Sequence, residues 1–287
     1  MTAWQASAFG IALSLGLLAT YLVLWVRARR RGAGVSVWAL LFFVVLGVGV
    51  LAYSLCGPVG VYAHAFLWVF GMQVGLLTAV VPLGLALGKP LDVVCGAFAS
   101  RRPVHALRGR IGRMLMYPLV STSLATVSVL AVFVTGYGQA ATESDGVLAV
   151  LVMHLLLVGM LVVLPLLTEE LLPEWAGPGV RTLLAGTDGL IDAVPGTVLM
   201  TRSHLLMPRF AGFAAPYAHT RAGLSPVLDQ RLTGGALLAV TEAIGIPLIV
   251  AVFVDWMRAD AASAARIDAR LDAEQGQEAS TPWWLEG

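Results

Sequence analysis

GAGVSVWALLFFVVLGVGVLAYSLCGPVGVYAHAFLWVFGMQVGLLTAVVPLGLALG, residues 32–88, contains no Asp, Glu, Lys or Arg. A helix needs about 20 apolar residues to cross roughly 30 Å of hydrocarbon, so this run is long enough for two crossings. Cys56-Gly57-Pro58 divides it, because Gly and Pro together favour a turn. The halves predict membrane helices near 36–55 and 61–87.

The pattern repeats outward from there. Trp4 to Val26 is a first uncharged span, ended by Arg27, Arg29, Arg30 and Arg31. Further spans are predicted over 115–135, 147–167, 182–207 (containing Asp188 and Asp192) and 232–254 (containing Glu242). Only 12% of the chain is charged and its mean hydropathy is +0.84, whereas soluble domains carry about 25% charged residues. The expected fold is therefore all-α: a polytopic membrane protein with seven transmembrane helices. The first span does not read as a secretory signal, because its positive charges follow the apolar stretch. A net charge of +1 gives no general attraction to nucleic acid.

Loop charges orient the set. With the N-terminus outside and the C-terminus cytoplasmic, 14 of the 18 basic residues fall on the inner side, as the positive-inside rule requires. Residues 88–114 form a basic inner loop and 208–231 an outer one. The expected organisation is a seven-helix transmembrane domain over 1–258 and a cytoplasmic tail over 259–287, its first part a solvated helix. Cys56 and Cys95 are separated by a whole span, so they face opposite sides and form no disulfide.

Ionisable side chains inside a bilayer are costly and face protein or water. His64, His154 and His204 fall in the outer half of their helices, and His219 lies in the outer loop. Met200, His204 and Met207, spaced i, i+4 and i+7, are expected on one face of the sixth helix. Imidazole and thioether ligands suit Cu(I), so His64, His154, His204, Met200 and Met207 are candidate ligands lining one outward-facing pocket. Asp229, just before the seventh span, either joins such a site or pairs with Arg231 or Arg202. Each histidine also has a plain alternative as a hydrogen-bonded packing residue, and each methionine as a gap-filler. Asp188, Asp192 and Glu242 either relay protons, bind a cation or fasten helices together. No phosphate-binding Gly-rich loop, GxSxG or HExxH occurs, and the single lysine, Lys89, lies in a loop.

Specific strings carry a resemblance. Ala63-His64 leads through an apolar helix to Pro82-Leu83-Gly84-Leu85-Ala86-Leu87-Gly88-Lys89-Pro90-Leu91. His154 is followed by Gly159 and Pro165. Ser225-Pro226-Val227-Leu228-Asp229-Gln230 is followed by Gly234-Gly235, Glu242 and Asp255-Trp256-Met257-Arg258. Their order resembles the CtaG family of cytochrome c oxidase assembly factors over roughly residues 15–260. The resemblance implies a multi-pass protein of the bacterial plasma membrane, not an enzyme, that acts as a chaperone in the respiratory chain. It would assist maturation of an oxidase copper centre through transient copper binding. Expected partners are membrane lipids, oxidase subunits or copper chaperones, and a second copy of the chain. Trp68 and Val150 stand where members of the family often carry further histidines, which leaves open a scaffold role or ligation through methionine. The alternative function is a membrane transporter of copper or another small solute.

Overall fold

The computed structural model describes residues 4–168, 178–214 and 223–280. The side chains of Asp188 and Asp255, and all of His219, lie outside the described residues. Every described regular element is helical. In chain order they are α1 (Ala8–Arg30), α2 (37–56), α3 (Pro58–Tyr62), α4 (67–87), α5 (Pro90–Phe98), α6 (Arg102–Leu107) and α7 (Arg110–Leu115). These are followed by α8 (Pro118–Val134), α9 (Tyr137–Glu143), α10 (Asp145–Leu167), α11 (Pro178–Thr201) and α12 (Pro226–Ser280).

Local chemistry sets the ends. The Ser7 hydroxyl accepts from the Gly10 N–H at 3.1 Å and caps α1. Arg27, Arg29 and Arg30 occupy its last turn, where cations complement the carbonyl end of the helix. Gly57 at φ −84°, ψ −169° and Pro58 end α2 as the sequence predicts. Two long helices carry π turns, Phe43–Gly49 in α2 and Leu76–Val80 in α4. The second lies just before Pro82, which has no N–H to give the Thr78 carbonyl, and a π turn absorbs that break in the ladder. Cys56 and Cys95 are both free thiols.

Four stretches are long and apolar enough to cross a membrane: Ala8–Arg30, Val37–Tyr62, Leu67–Phe98 and Asp145–Leu167. The pair α8–α9 makes a fifth if taken as one span bent by 62°. The bend falls at Gly136, whose φ of +79° is a left-handed conformation that glycine adopts without strain. The expected sixth and seventh runs fall on α11 and α12, with a short apolar helix over Gly189–Thr201. These two helices pack along each other, and α12 packs on α4. At the centre stands α4: 67% of the apolar window in Leu67–Phe98 is buried, against 22% in α1. Its Leu67, Phe70, Val74, Leu77 and Val81 join Phe133, Leu151, Leu155, Phe210 and Leu237 in one core.

Three expectations change. The third helix begins at Leu67, not residue 61, and His64 lies in the turn before it. The basic segment 88–114, expected as an inner loop, is largely folded into the short helices α5, α6 and α7. The sixth helix ends at Thr201 instead of 207, so Met200, His204 and Met207 do not share a helix face. The Gln230 side chain helps set the early stop: it takes the Leu206 N–H that another helical turn would have used, and it serves the His204 carbonyl, to which Pro208 has no N–H to give. Pro208 also disfavours helical geometry in the residue before it. The predicted solvated helix past 258 is present as the continuation of α12, which is 55 residues long.

Candidate functional site

The segment 225–235, SPVLDQRLTGG, organises one end of the bundle. The Ser225 hydroxyl accepts from the Leu228 N–H at 3.2 Å, and Pro226 opens α12 with the backbone angle a first helical turn needs. One turn in, Asp229 is fully buried. Its carboxylate accepts the N–H of Leu67 at 3.1 Å and that of Trp68 at 2.9 Å. These are the first N–H groups of α4, and the Phe66 position before them has no capping side chain of its own. Asp229 therefore caps α4 from another helix, placing negative charge where the helix dipole favours it.

The next residues extend the junction. Gln230, also fully buried, donates from Nε2 to the His204 carbonyl at 3.1 Å and accepts the Leu206 N–H on Oε1 at 2.7 Å. Thr233 donates its hydroxyl to the Asp229 carbonyl at 2.7 Å and packs its methyl against Gly71, where any Cβ would collide with it. Gly234 lies against the Gly196 carbonyl and Met200. Within two turns, α12 thus locks α4, the 202–210 turn and α11.

His64 and His154 approach α9 from its two ends. The His64 Nδ1 lies 3.3 Å from the Thr142 carbonyl. A carbonyl only accepts, so this bond places the proton on Nδ1 and leaves the Nε2 lone pair for another partner. The His154 Nε2 lies 3.1 Å from the Ser128 hydroxyl of α8, and its ring centroid is 6.0 Å from that of Tyr137. Both imidazoles are half-buried. His204 is in the exposed turn after α11, Met200 is 42% exposed on α11, and Met207 is 1% exposed in the core. His105 is exposed on α6. Among the described residues, no three His, Cys, Asp or Glu side chains come together in a group able to hold a metal ion.

The sequence reading named Asp229 but not the partners that define it. Gln230, Thr233, Gly71, Ser128 and Thr142 carry the geometry. A detectable signal was the polar run Asp229, Gln230 and Thr233, in which i and i+4 fall on one helix side at the start of an apolar span. The roles of Gly71 and the backbone of Leu67 and Trp68 depend on which helices meet, and spacing along one helix does not give that.

Comparison with known proteins places this architecture. A family model described as cytochrome c oxidase caa3 assembly factor matches residues 19–259. That interval contains α4, α9 and the Asp229 junction. Uncharacterized proteins of Mycobacterium bovis and Mycobacterium tuberculosis are each 26% identical over 296 aligned positions, covering 96% of this chain and 42% of theirs. The chain thus spans less than half the length of the curated relatives it matches. No solved structure matches. With the match running from the middle of α1 well into α12, the chain belongs to the family of cytochrome c oxidase caa3 assembly factors.

Proposed function

We propose that the chain is a non-catalytic membrane assembly factor for a haem-copper cytochrome c oxidase and assists maturation of a copper centre. The observation that carries this reading is the family match over residues 19–259. In this reading the chain crosses a bacterial plasma membrane seven times, with α11 and α12 as the last two crossings and the N-terminus outside. His64, His154 and α9 then lie toward the outer side. Copper is cargo here, held briefly and passed to an oxidase subunit or taken from a copper chaperone.

The His64 Nε2 and an imidazole nitrogen of His154 are the ligands this reading favours, since Cu(I) accepts few, soft or imidazole ligands. His204, Met200 and Met207 lie in a separate exposed turn, on α11 and in the core. Asp229 supports the site indirectly, because its carboxylate fixes the start of α4 directly after the turn that bears His64.

Deletion of the gene tests the function. Cells should still synthesise the oxidase subunits but assemble an oxidase deficient in copper, and an oxidase with full copper content would refute the reading. Topology is tested separately by impermeant thiol labelling of intact cells, with Cys56 and Cys95 replaced by alanine. A cysteine at exposed Ser144 should be labelled and one at exposed Arg102 protected. The reverse pattern would invert the orientation.

A further inference from the structure

The two faces of α1 differ. Tyr21, Trp25 and Ala28 are buried, with the Tyr21 ring stacked on Phe43 at 3.7 Å and Ala28 against Gly96 of α5. On the other side, Leu22, Val26 and Arg30 form one i, i+4 row, and Val23, Arg27 and the C-cap residue Arg31 form the next. All six are exposed. Among the described residues, these six line a groove of about 500 Å³.

The groove changes character along its length. Its first half is apolar, and its second half is the arginine cluster that ends the uncharged run of α1. Leu22 to Arg31 covers about 13 Å at 1.5 Å per residue. The arginines therefore stand at the level where the hydrocarbon of a bilayer gives way to headgroups. An arginine side chain can lay its stem along apolar surface while its head stays in the polar layer. The guanidinium is a planar fork of N–H donors that matches a phosphate. The Arg27 guanidinium is held over the Phe98 ring of α5 at 4.9 Å, an attraction that positions the charge without neutralising it. Arg29 is not part of the groove, and its guanidinium lies over the Trp25 ring at 5.0 Å.

We propose that this groove binds an anionic diacyl phospholipid, its phosphate held by Arg27, Arg30 and Arg31 and an acyl chain laid along Leu22, Val23 and Val26. Charge complementarity selects the occupant, because a phosphodiester brings negative charge to a cluster of arginines. A choline lipid would add an ammonium group beside those arginines. Free phosphate would leave the apolar half of the groove uncovered. Only 22% of the apolar window of α1 is buried, so a bound lipid supplies contacts that protein packing does not. It would fix the depth at which α1 leaves the bilayer. The proposal rests on the chain lying in a membrane, not on the copper reading, and it holds for either orientation of α1.

The test is lipid binding by the purified full chain in a neutral detergent, read by native mass spectrometry during titration with dioleoyl phosphatidylglycerol. This lipid should bind saturably, and dioleoyl phosphatidylcholine and glycerol 3-phosphate should bind far more weakly. Arg30→Gln/Arg31→Gln leaves the Arg27–Phe98 contact in place and should weaken the apparent affinity for phosphatidylglycerol about thirtyfold, since each arginine near anionic headgroups contributes about a factor of five. Arg110→Gln/Arg113→Gln removes two exposed charges outside the groove and should leave the affinity near wild type. Melting in lipid-free detergent checks that both variants fold. Arg31→Gln alone, beyond the last helical turn, should cost about fivefold and replaces the double variant if that one melts early. Equal binding of the two lipids overturns the proposal, because the groove would then read acyl chains alone. Glycerol 3-phosphate binding as tightly as the lipid overturns it in favour of a free-phosphate site. Equal losses in the two double variants also overturn it, because net charge and not the groove would then hold the lipid.

Discussion

Asp229 and Asp192 sit on two helices packed along each other, yet their surroundings differ in kind. Asp229 is fully buried, and each of its oxygens accepts a backbone N–H from the first turn of α4. Asp192 faces a cavity with three threonine hydroxyls whose protons already go to backbone carbonyls. The first carboxylate meets donors fixed in the fold, and the second lies on a cavity lined by threonines and apolar side chains. A buried carboxylate surrounded by donors is satisfied by the protein itself. The same residue type thus serves as a structural cap at one end of the bundle and lines a cavity in its middle.

The largest effect that separates the two regions is expected at the cap. Asp229→Ala removes two charge-assisted bonds and strands the N–H groups of Leu67 and Trp68, of which Leu67 is fully buried. Loss of a cap and of bonds to a charged group should destabilise the fold by about 2–4 kcal/mol. Protease resistance and melting of the detergent-solubilised chain measure it. An alanine variant as stable as wild type would mean that Asp229 is not a cap and would return it to the list of candidate metal ligands.

The second effect lies next to the cavity. A Cβ at Gly159 would run into the Thr78 carbonyl and the Pro82 ring. The carbonyl belongs to backbone and cannot rotate away, so Gly159→Ala should force α10 off α4 at a cost of roughly 1–3 kcal/mol. Melting of the detergent-solubilised chain measures it. A Gly159→Ala variant as stable as wild type would show that α10 can move off α4 without cost.

A smaller loss is expected at Gln230. Gln230→Ala breaks two bonds to the 202–210 turn, but His204 is exposed and water can reach its carbonyl. The cost should be about 1–2 kcal/mol, and proteolysis should become faster at residues 202–209 while α4 stays protected. Faster cleavage at Leu67 as well would show that the cap and the turn form one unit.

The sequence made the membrane helices legible because a bilayer demands long uncharged runs, and 32–88 can be read in no other way. It also placed the break at Gly57-Pro58. It missed the stop at Thr201. The pattern Met200, His204, Met207 has helical spacing, but Gln230, 26 residues after His204, competes for the backbone of that turn. It likewise started the third helix too early, because the cap that defines Leu67 as its first residue comes from Asp229, 162 residues away. Spacing along one helix shows which residues share a face. Which helix supplies the donor or acceptor opposite that face is decided by packing, and the sequence reading stops there.

The smallest expected stability effect bears on the histidines. His154 and Ser128 share one hydrogen bond at 3.1 Å across α10 and α8. Such bonds in bilayers average about 0.6 kcal/mol, so Ser128→Ala and His154→Phe should each lower stability by roughly that amount. The two variants differ in what they leave behind. Ser128→Ala keeps both imidazole nitrogens and removes only the partner, whereas His154→Phe keeps a ring against Tyr137 and removes both nitrogens. If His154 is only a packing residue, the variants should be alike in stability and in the copper content of the assembled oxidase. If it holds copper, His154→Phe should lower that copper content while Ser128→Ala leaves it near wild type, because an imidazole freed from Ser128 still has its lone pair to offer. Equal copper content in both variants, measured on oxidase purified from cells carrying each, would remove His154 from the proposed ligand set and leave His64 without its partner.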